Sequence, residues 1–111
     1  MLPKGEETVG SLVKRYIRSN LDSKLTLGGI ALSLHCSTVT VTQHFKAEFG
    51  KTVMEYVTEK RMALAESLLL TTDAPLREVA EATGFSDVEY FSRTFKRYHG
   101  LPPATWRERN K

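Results

Sequence analysis

The sequence predicts an all-α fold of about seven helices in which a two-helix unit occurs twice, on either side of a long central helix. Three observations predict it. Strand signals are weak, and most segments carry apolar residues three and four positions apart. Glycine, proline and capping residues break the pattern at short intervals. Finally, IALSLHCSTVTVTQHFKAEFG at 30–50 resembles VAEATGFSDVEYFSRTFKRYHG at 79–100.

Val9, Leu12, Val13, Tyr16, Ile17 and Leu21 make one amphipathic face with Lys14, Arg15 and Arg18 mostly off it, so a first helix is expected over residues 8–21. Thr26 can cap a short second helix running to about Leu34. Gly28 and Gly29 weaken that helix, by up to about 1 kcal/mol each relative to alanine, so packing must hold it. Ser37 offers the next cap, and Val41, Phe45 and Phe49 recur every four residues until Gly50 ends the third helix. From about Thr52 to Leu70 there is no glycine or proline, and Val57, Leu64 and Leu68 mark a fourth helix of roughly 27 Å at 1.5 Å per residue. TTDAP interrupts, and Pro75 suits the first turn of a fifth helix that ends near Gly84. A sixth is expected over about 86–99, and PPATWRER supplies a short seventh, with Trp106 placed to close the core.

With 111 residues, 41% of them hydrophobic, the chain can form one compact domain or two very small units. Sixteen Lys plus Arg against 13 Asp plus Glu give a formal charge of +3, basic without being an indiscriminate polycation. No apolar run reaches the roughly 18 residues of a membrane span, and MLPKGEETVG lacks the apolar core of a signal peptide, so a cytoplasmic location is expected. Cys36 stands alone, which excludes an intramolecular disulfide and fits a reducing compartment. His35, His44 and His99 form no zinc spacing with it, and no metal or other cofactor is implied. No nucleophile motif or phosphate-binding glycine loop organises the Ser, His and acidic residues, so the chain is not expected to be an enzyme.

The repeat has a definite register. Ala31 matches Ala80 and Ser37 matches Ser86 at a shift of 49, whereas Phe45-Lys46 matches Phe95-Lys96 and Gly50 matches Gly100 at a shift of 50. One residue is therefore expected to be inserted at the start of the later helix. Each copy reads as helix, tight turn, helix, with a small alanine where two helices cross closely: the helix-turn-helix pattern. Gly84 suits a left-handed turn position, and the matching His35 would bear a steric cost there. In the sixth helix Phe91, Phe95 and Tyr98 form an anchoring face, and Glu89, Ser92, Arg93 and Lys96 an offered one. The corresponding offered face of the third helix is Val39, Thr42, Gln43 and Lys46.

These units, with RMALAESLLL between them and GFSDVEYFSRTFKRYHGLPPATWR after them, resemble the DNA-binding domain of AraC/XylS-family bacterial transcription regulators. The resemblance covers roughly residues 8–109 and is strongest from Arg61 to Trp106. It implies a bipartite domain, with 8–50 and 71–109 as helix-turn-helix subdomains, 51–70 as the connecting helix, and 1–7 as a flexible N-terminal segment or linker remnant. It further implies that helices 37–49 and 86–99 enter successive major grooves of double-stranded DNA, for transcription control and more often activation through RNA polymerase. The isolated domain is expected to be monomeric.

Carried over position by position, the resemblance places base reading at Val39 and Gln43 in the first unit and at Val88, Glu89 and Arg93 in the second. A guanidinium at Arg93 can grip guanine O6 and N7, a contact typically worth about 1 to 3 kcal/mol of discrimination, or can contact phosphate instead. Gln43, where the family often has arginine, suits adenine N6 and N7, and Val39 suits a thymine methyl. Glu89 has two readings: it can accept from cytosine N4, or it can complete an S-x-x-E capping box with Ser86. Ser37, Thr38, Thr42, Lys46, Lys51, Ser92, Lys96 and Arg97 are candidates for backbone or mixed contacts. Phe45, Phe49, Phe95, Tyr98 and Trp106 are assigned to the core. The rival reading is a helical protein-interaction module on the same fold, without sequence-specific DNA binding.

Overall fold

The computed structural model describes residues 7–111, so the expected N-terminal segment falls, apart from Glu7, outside the described residues. Seven helices and no strand occur among the described residues: α1 (Val9–Ser19), α2 (Leu27–Ser33), α3 (Thr38–Phe49), α4 (Val53–Thr71), α5 (Leu76–Ala82), α6 (Val88–His99) and α7 (Pro103–Asn110). The chain divides into two compact units, one ending at Thr58 and the other running from Glu59 to Lys111.

In the first unit Thr8 caps α1 through a reciprocal box with Ser11, and α1 packs against α3. The approach is close because Gly10 faces α3: a Cβ there would sit 2.7 Å from the Phe49 ring and 2.4 Å from the Glu48 carboxylate. Val13, Ile17, Ile30, Ala31, Val41, Phe45, Val53, Tyr56 and Val57 form the core. Phe45 meets Phe49 and Tyr56 edge to face, with ring centroids 4.9 and 5.6 Å away. Burial of Ile30 and Ala31 holds α2 despite its two glycines, and the Thr26 hydroxyl accepts from Gly29 N–H at its start. Tertiary packing overrides the weak local propensity here.

The second unit closes around Met62, Ala65, Leu69, Val79, Ala80, Phe85, Phe91 and Phe95, with Trp106 of α7 edge-on to Phe95 at 5.6 Å. Arg107 ties α7 to the end of α4, donating to the carbonyls of Leu69, Thr72 and Ala74 at 3.1, 3.3 and 2.8 Å. Those oxygens lie in and just beyond the last turn of α4, where carbonyls lack intrahelical partners.

One expectation about packing is corrected, that for Tyr98, and α4 turns inward residues that its apolar repeat did not single out. On α4 the second core uses Met62, Ala65 and Leu69, while Leu64 and Leu68 are only half-buried. The helix serves one cluster with Val53, Tyr56 and Val57 and another with Met62 onward, so no single stripe runs its length. Tyr98, assigned to the core, is 49% exposed. His99 takes that inner place, stacked on Phe95 with centroids 4.0 Å apart and its Nε2 2.6 Å from a Glu66 carboxylate oxygen. Thr94 fills a third inward position and turns its hydroxyl to the Tyr90 carbonyl at 2.9 Å.

Candidate nucleic-acid interface

Each unit builds the same turn. Helices α2 and α5 are followed by their C-caps, Leu34 and Thr83, and the chain then passes through a left-handed residue, His35 at φ 57° and Gly84 at φ 84°. The next amide bonds back to the buried alanine: Cys36 N–H to the Ala31 carbonyl, and Phe85 N–H to the Ala80 carbonyl, both at 2.9 Å. His35 therefore adopts the conformation for which glycine carries no side-chain penalty.

The second helix of each unit starts from a capped residue and ends on a left-handed glycine. Ser37 Oγ accepts from Thr40 N–H at 3.1 Å, and an Asp87 carboxylate oxygen accepts from Tyr90 N–H at 2.7 Å. Gly50 and Gly100 close α3 and α6. From cap to closing glycine the helices match at a shift of 50, whereas the first helices and turns match at 49. The extra residue is thus Ser86, which precedes the cap rather than lying within the helix. The Ser86 to Glu89 capping box is corrected accordingly: Asp87 occupies the N-cap, and Glu89 is an exposed residue of the first turn. Both Ser and Asp are good N-caps, and backbone register alone chooses between them.

The outward faces differ in chemistry. On α3, Thr38, Val39, Thr42, Gln43 and Lys46 are exposed, as is the capping Ser37; Val39 is 59% exposed. Leu27, from the start of α2, joins Thr38, Val39, Thr42 and Gln43 around a shallow concavity. Leu27 was missed by sequence reasoning; its only signal was its place as first residue after the Thr26 cap. On α6, Glu89, Arg93, Lys96 and Arg97 are exposed, and Val88 and Ser92 are half-buried. Lys51 is half-buried beyond α3 and contributes, with Lys46, to keeping the Glu55 carboxyl acidic. The larger causes for Glu55 are hydrogen bonds from the Thr52 N–H and then the Thr52 hydroxyl, which hold it below the usual carboxylate value.

Charge is graded along α6, with Asp87 and Glu89 at its start and Lys96, Arg97 and His99 in its last turn, a distribution that complements the helix dipole. The start of α3 carries no acidic residue. Tyr90, 48% exposed, packs edge-on to Phe85 at 5.4 Å, and the Arg61 guanidinium lies over the same Phe85 ring at 5.9 Å. Burial pulls Arg61 below its ordinary value, and Tyr90 acts in the opposite direction. Among the described residues no group of His, Cys, Asp and Glu is placed to hold a metal ion, and no helix is long and apolar enough to cross a membrane.

The geometry of two such turns has a counterpart in known proteins. The family model described as "Helix-turn-helix domain", of the AraC type, matches residues 30–109. The chain belongs to the AraC-type helix-turn-helix family. The C-terminal domain of AraT, a response regulator from Geobacillus stearothermophilus, superposes with a TM-score of 0.90 at 31% identity, covering 95% of this chain and 88% of that one. The DNA-binding domain of AdpA, solved in complex with a target DNA, shares the AraC-type fold at a TM-score of 0.81 and 24% identity, covering 90% and 89%. The transcriptional activator NphR of Rhodococcus is 39% identical over 97 residues, 86% of this chain and 29% of NphR. The chain spans about a third of the length of such curated relatives, 37% for the regulator YisR of Bacillus subtilis.

Proposed function

We propose that this AraC-type domain binds double-stranded DNA at specific sequences to regulate bacterial transcription, with α3 and α6 each laid in a major groove. The observation that carries the reading is the repeated outward face: two helices of equal length, capped alike, that bury Val41 and Phe45 or Phe91 and Phe95 and leave Val39, Gln43 and Lys46 or Glu89, Arg93 and Lys96 exposed. An α-helix fits the B-DNA major groove, where base edges differ, while lysines reaching phosphate supply affinity without sequence information.

In this reading Val39, Gln43, Glu89 and Arg93 meet base edges and Val88 lies at the rim of the second contact. Ser37, Thr38, Thr42, Lys46, Lys51, Ser92, Lys96 and Arg97 serve backbone or mixed contacts. Activation through RNA polymerase is the expected output, in line with the activator named among the relatives, and the domain acts as a monomer that brings both readers on one chain. Selection from a random duplex pool tests the proposal. An enriched bipartite site is expected, with Arg93→Ala losing about 1 to 3 kcal/mol of discrimination in one block. Equal binding of selected and scrambled duplexes would favour a protein-interaction module instead.

A further inference from the structure

Five positions that surround the concavity of the first unit have direct counterparts in the second. Leu27, Thr38, Val39, Thr42 and Gln43 correspond to Leu76, Val88, Glu89, Ser92 and Arg93 through the shifts of 49 and 50. The first set holds no charge. In the second, a carboxylate stands where Val39 is and a guanidinium where Gln43 is, both exposed. The acid is available because Asp87, not Glu89, caps the helix.

We infer that the two units read blocks of different base composition: the first an A·T block, with a thymine 5-methyl seated between Leu27 and Val39, and the second a G·C block. This rests on the groove-reading function proposed above and adds Leu27 as a specificity-determining residue.

The chemistry of base edges makes the assignment. Only thymine presents a methyl group in the major groove, and the Leu27 and Val39 side chains offer carbon surface with no polar group that could satisfy another base. Seating the methyl removes it from water against Val39, which is 59% exposed on the outward face of α3. Gln43 beside it carries one donor and one acceptor group, the pattern that adenine N6 and N7 require. On α6 the Arg93 guanidinium has only donors, which match the two acceptors of guanine. The Glu89 carboxylate has only acceptors, which match the cytosine amino group and are repelled by thymine O4, by guanine O6 and by the N7 that stands beside the amino group of adenine.

The experiment uses the whole chain and duplexes selected from a random pool. Gln43→Ala and Arg93→Ala assign each enriched block to a unit by relaxing its sequence. Deoxyuridine then replaces each thymine in turn, deleting one methyl while keeping the pairing. Binding is expected to weaken about fourfold at one thymine of the first unit's block, the factor for burial of a single methyl group, and to stay unchanged in the other block. V39A should abolish that difference between thymine and uracil. The double variant E89V/R93Q should move the second block from G·C toward A·T pairs, its helical circular dichroism confirming that the fold persists. A G·C-rich block under the first unit, equal binding of thymine and uracil there, or continued G·C preference by E89V/R93Q would overturn the inference while leaving sequence-specific binding in place. Failure to enrich any site would defeat the underlying function as well.

Discussion

Asp87 and Glu89 are both acidic and two residues apart, yet only Asp87 turns its carboxylate back to cap α6, while Glu89 stands exposed in the first turn. Asp87→Ala is expected to lower stability by about 1 kcal/mol, the usual worth of an N-cap, whereas Glu89→Ala should stay within about 0.5 kcal/mol and alter only base preference. Urea denaturation of the two variants checks this, and the opposite ranking would return Glu89 to the cap. The sequence was ambiguous here because Ser86 and Asp87 are adjacent and equally suited to capping. Glu55 gives a pH prediction of the same grain. Its folded-state value is lowered by the Thr52 hydrogen bonds, so its contribution is fully present above the ordinary carboxylate range and is lost as pH falls through that lowered value. Below about pH 4.5, stability should therefore decline less steeply in Glu55→Gln than in the parent chain, as followed by thermal melts.

Among the elements, the tight turns were the most legible, since an alanine, a cap and a left-handed position at fixed offsets leave little else to form. The strained copy offers a direct measurement. His35→Gly should relieve the left-handed strain at φ 57° and stabilise the chain by up to about 1 kcal/mol, despite the greater freedom glycine has when unfolded. A loss of stability would mean that the His35 side chain makes a contribution larger than its strain. The long helix was legible in extent but not in facing. Val57, Leu64 and Leu68 formed an attractive stripe, yet α4 supplies two cores and turns a different set of residues to each. Periodicity averages over a helix and reports one face well only when there is one core. His99 escaped notice for a related reason: a polar ring at the end of an aromatic series gave no sign that it would stack on Phe95 and meet Glu66.

At the scale of the molecule, each unit has its own buried aromatic, Phe45 in one and Phe95 in the other, each fully inaccessible. Phe95→Ala should cost about 3 to 5 kcal/mol through lost burial and cavity formation. Hydrogen exchange is expected to accelerate through α5, α6 and α7 while protection in α1, α2 and α3 is largely retained; uniform acceleration would show that the units unfold as one. Bipartite organisation was readable because the repeat is written twice in the sequence. The base partners proposed for Val39, Gln43, Glu89 and Arg93 could be drawn from residue chemistry alone, but the Asp87 cap that leaves Glu89 exposed and the place of Leu27 beside the α3 face could not, both being consequences of backbone placement.

The one-residue offset confined to Ser86 bears on how such a chain can change over generations. A residue gained inside the helix of one copy would rotate every later side chain by about 100°, exchanging buried for outward positions. Gained ahead of the cap, it left both helices in the same frame. Under the DNA-binding function proposed above, outward positions of either copy can therefore drift alone while the other keeps its grip. New addresses become reachable through intermediates that still bind, one word of the address at a time.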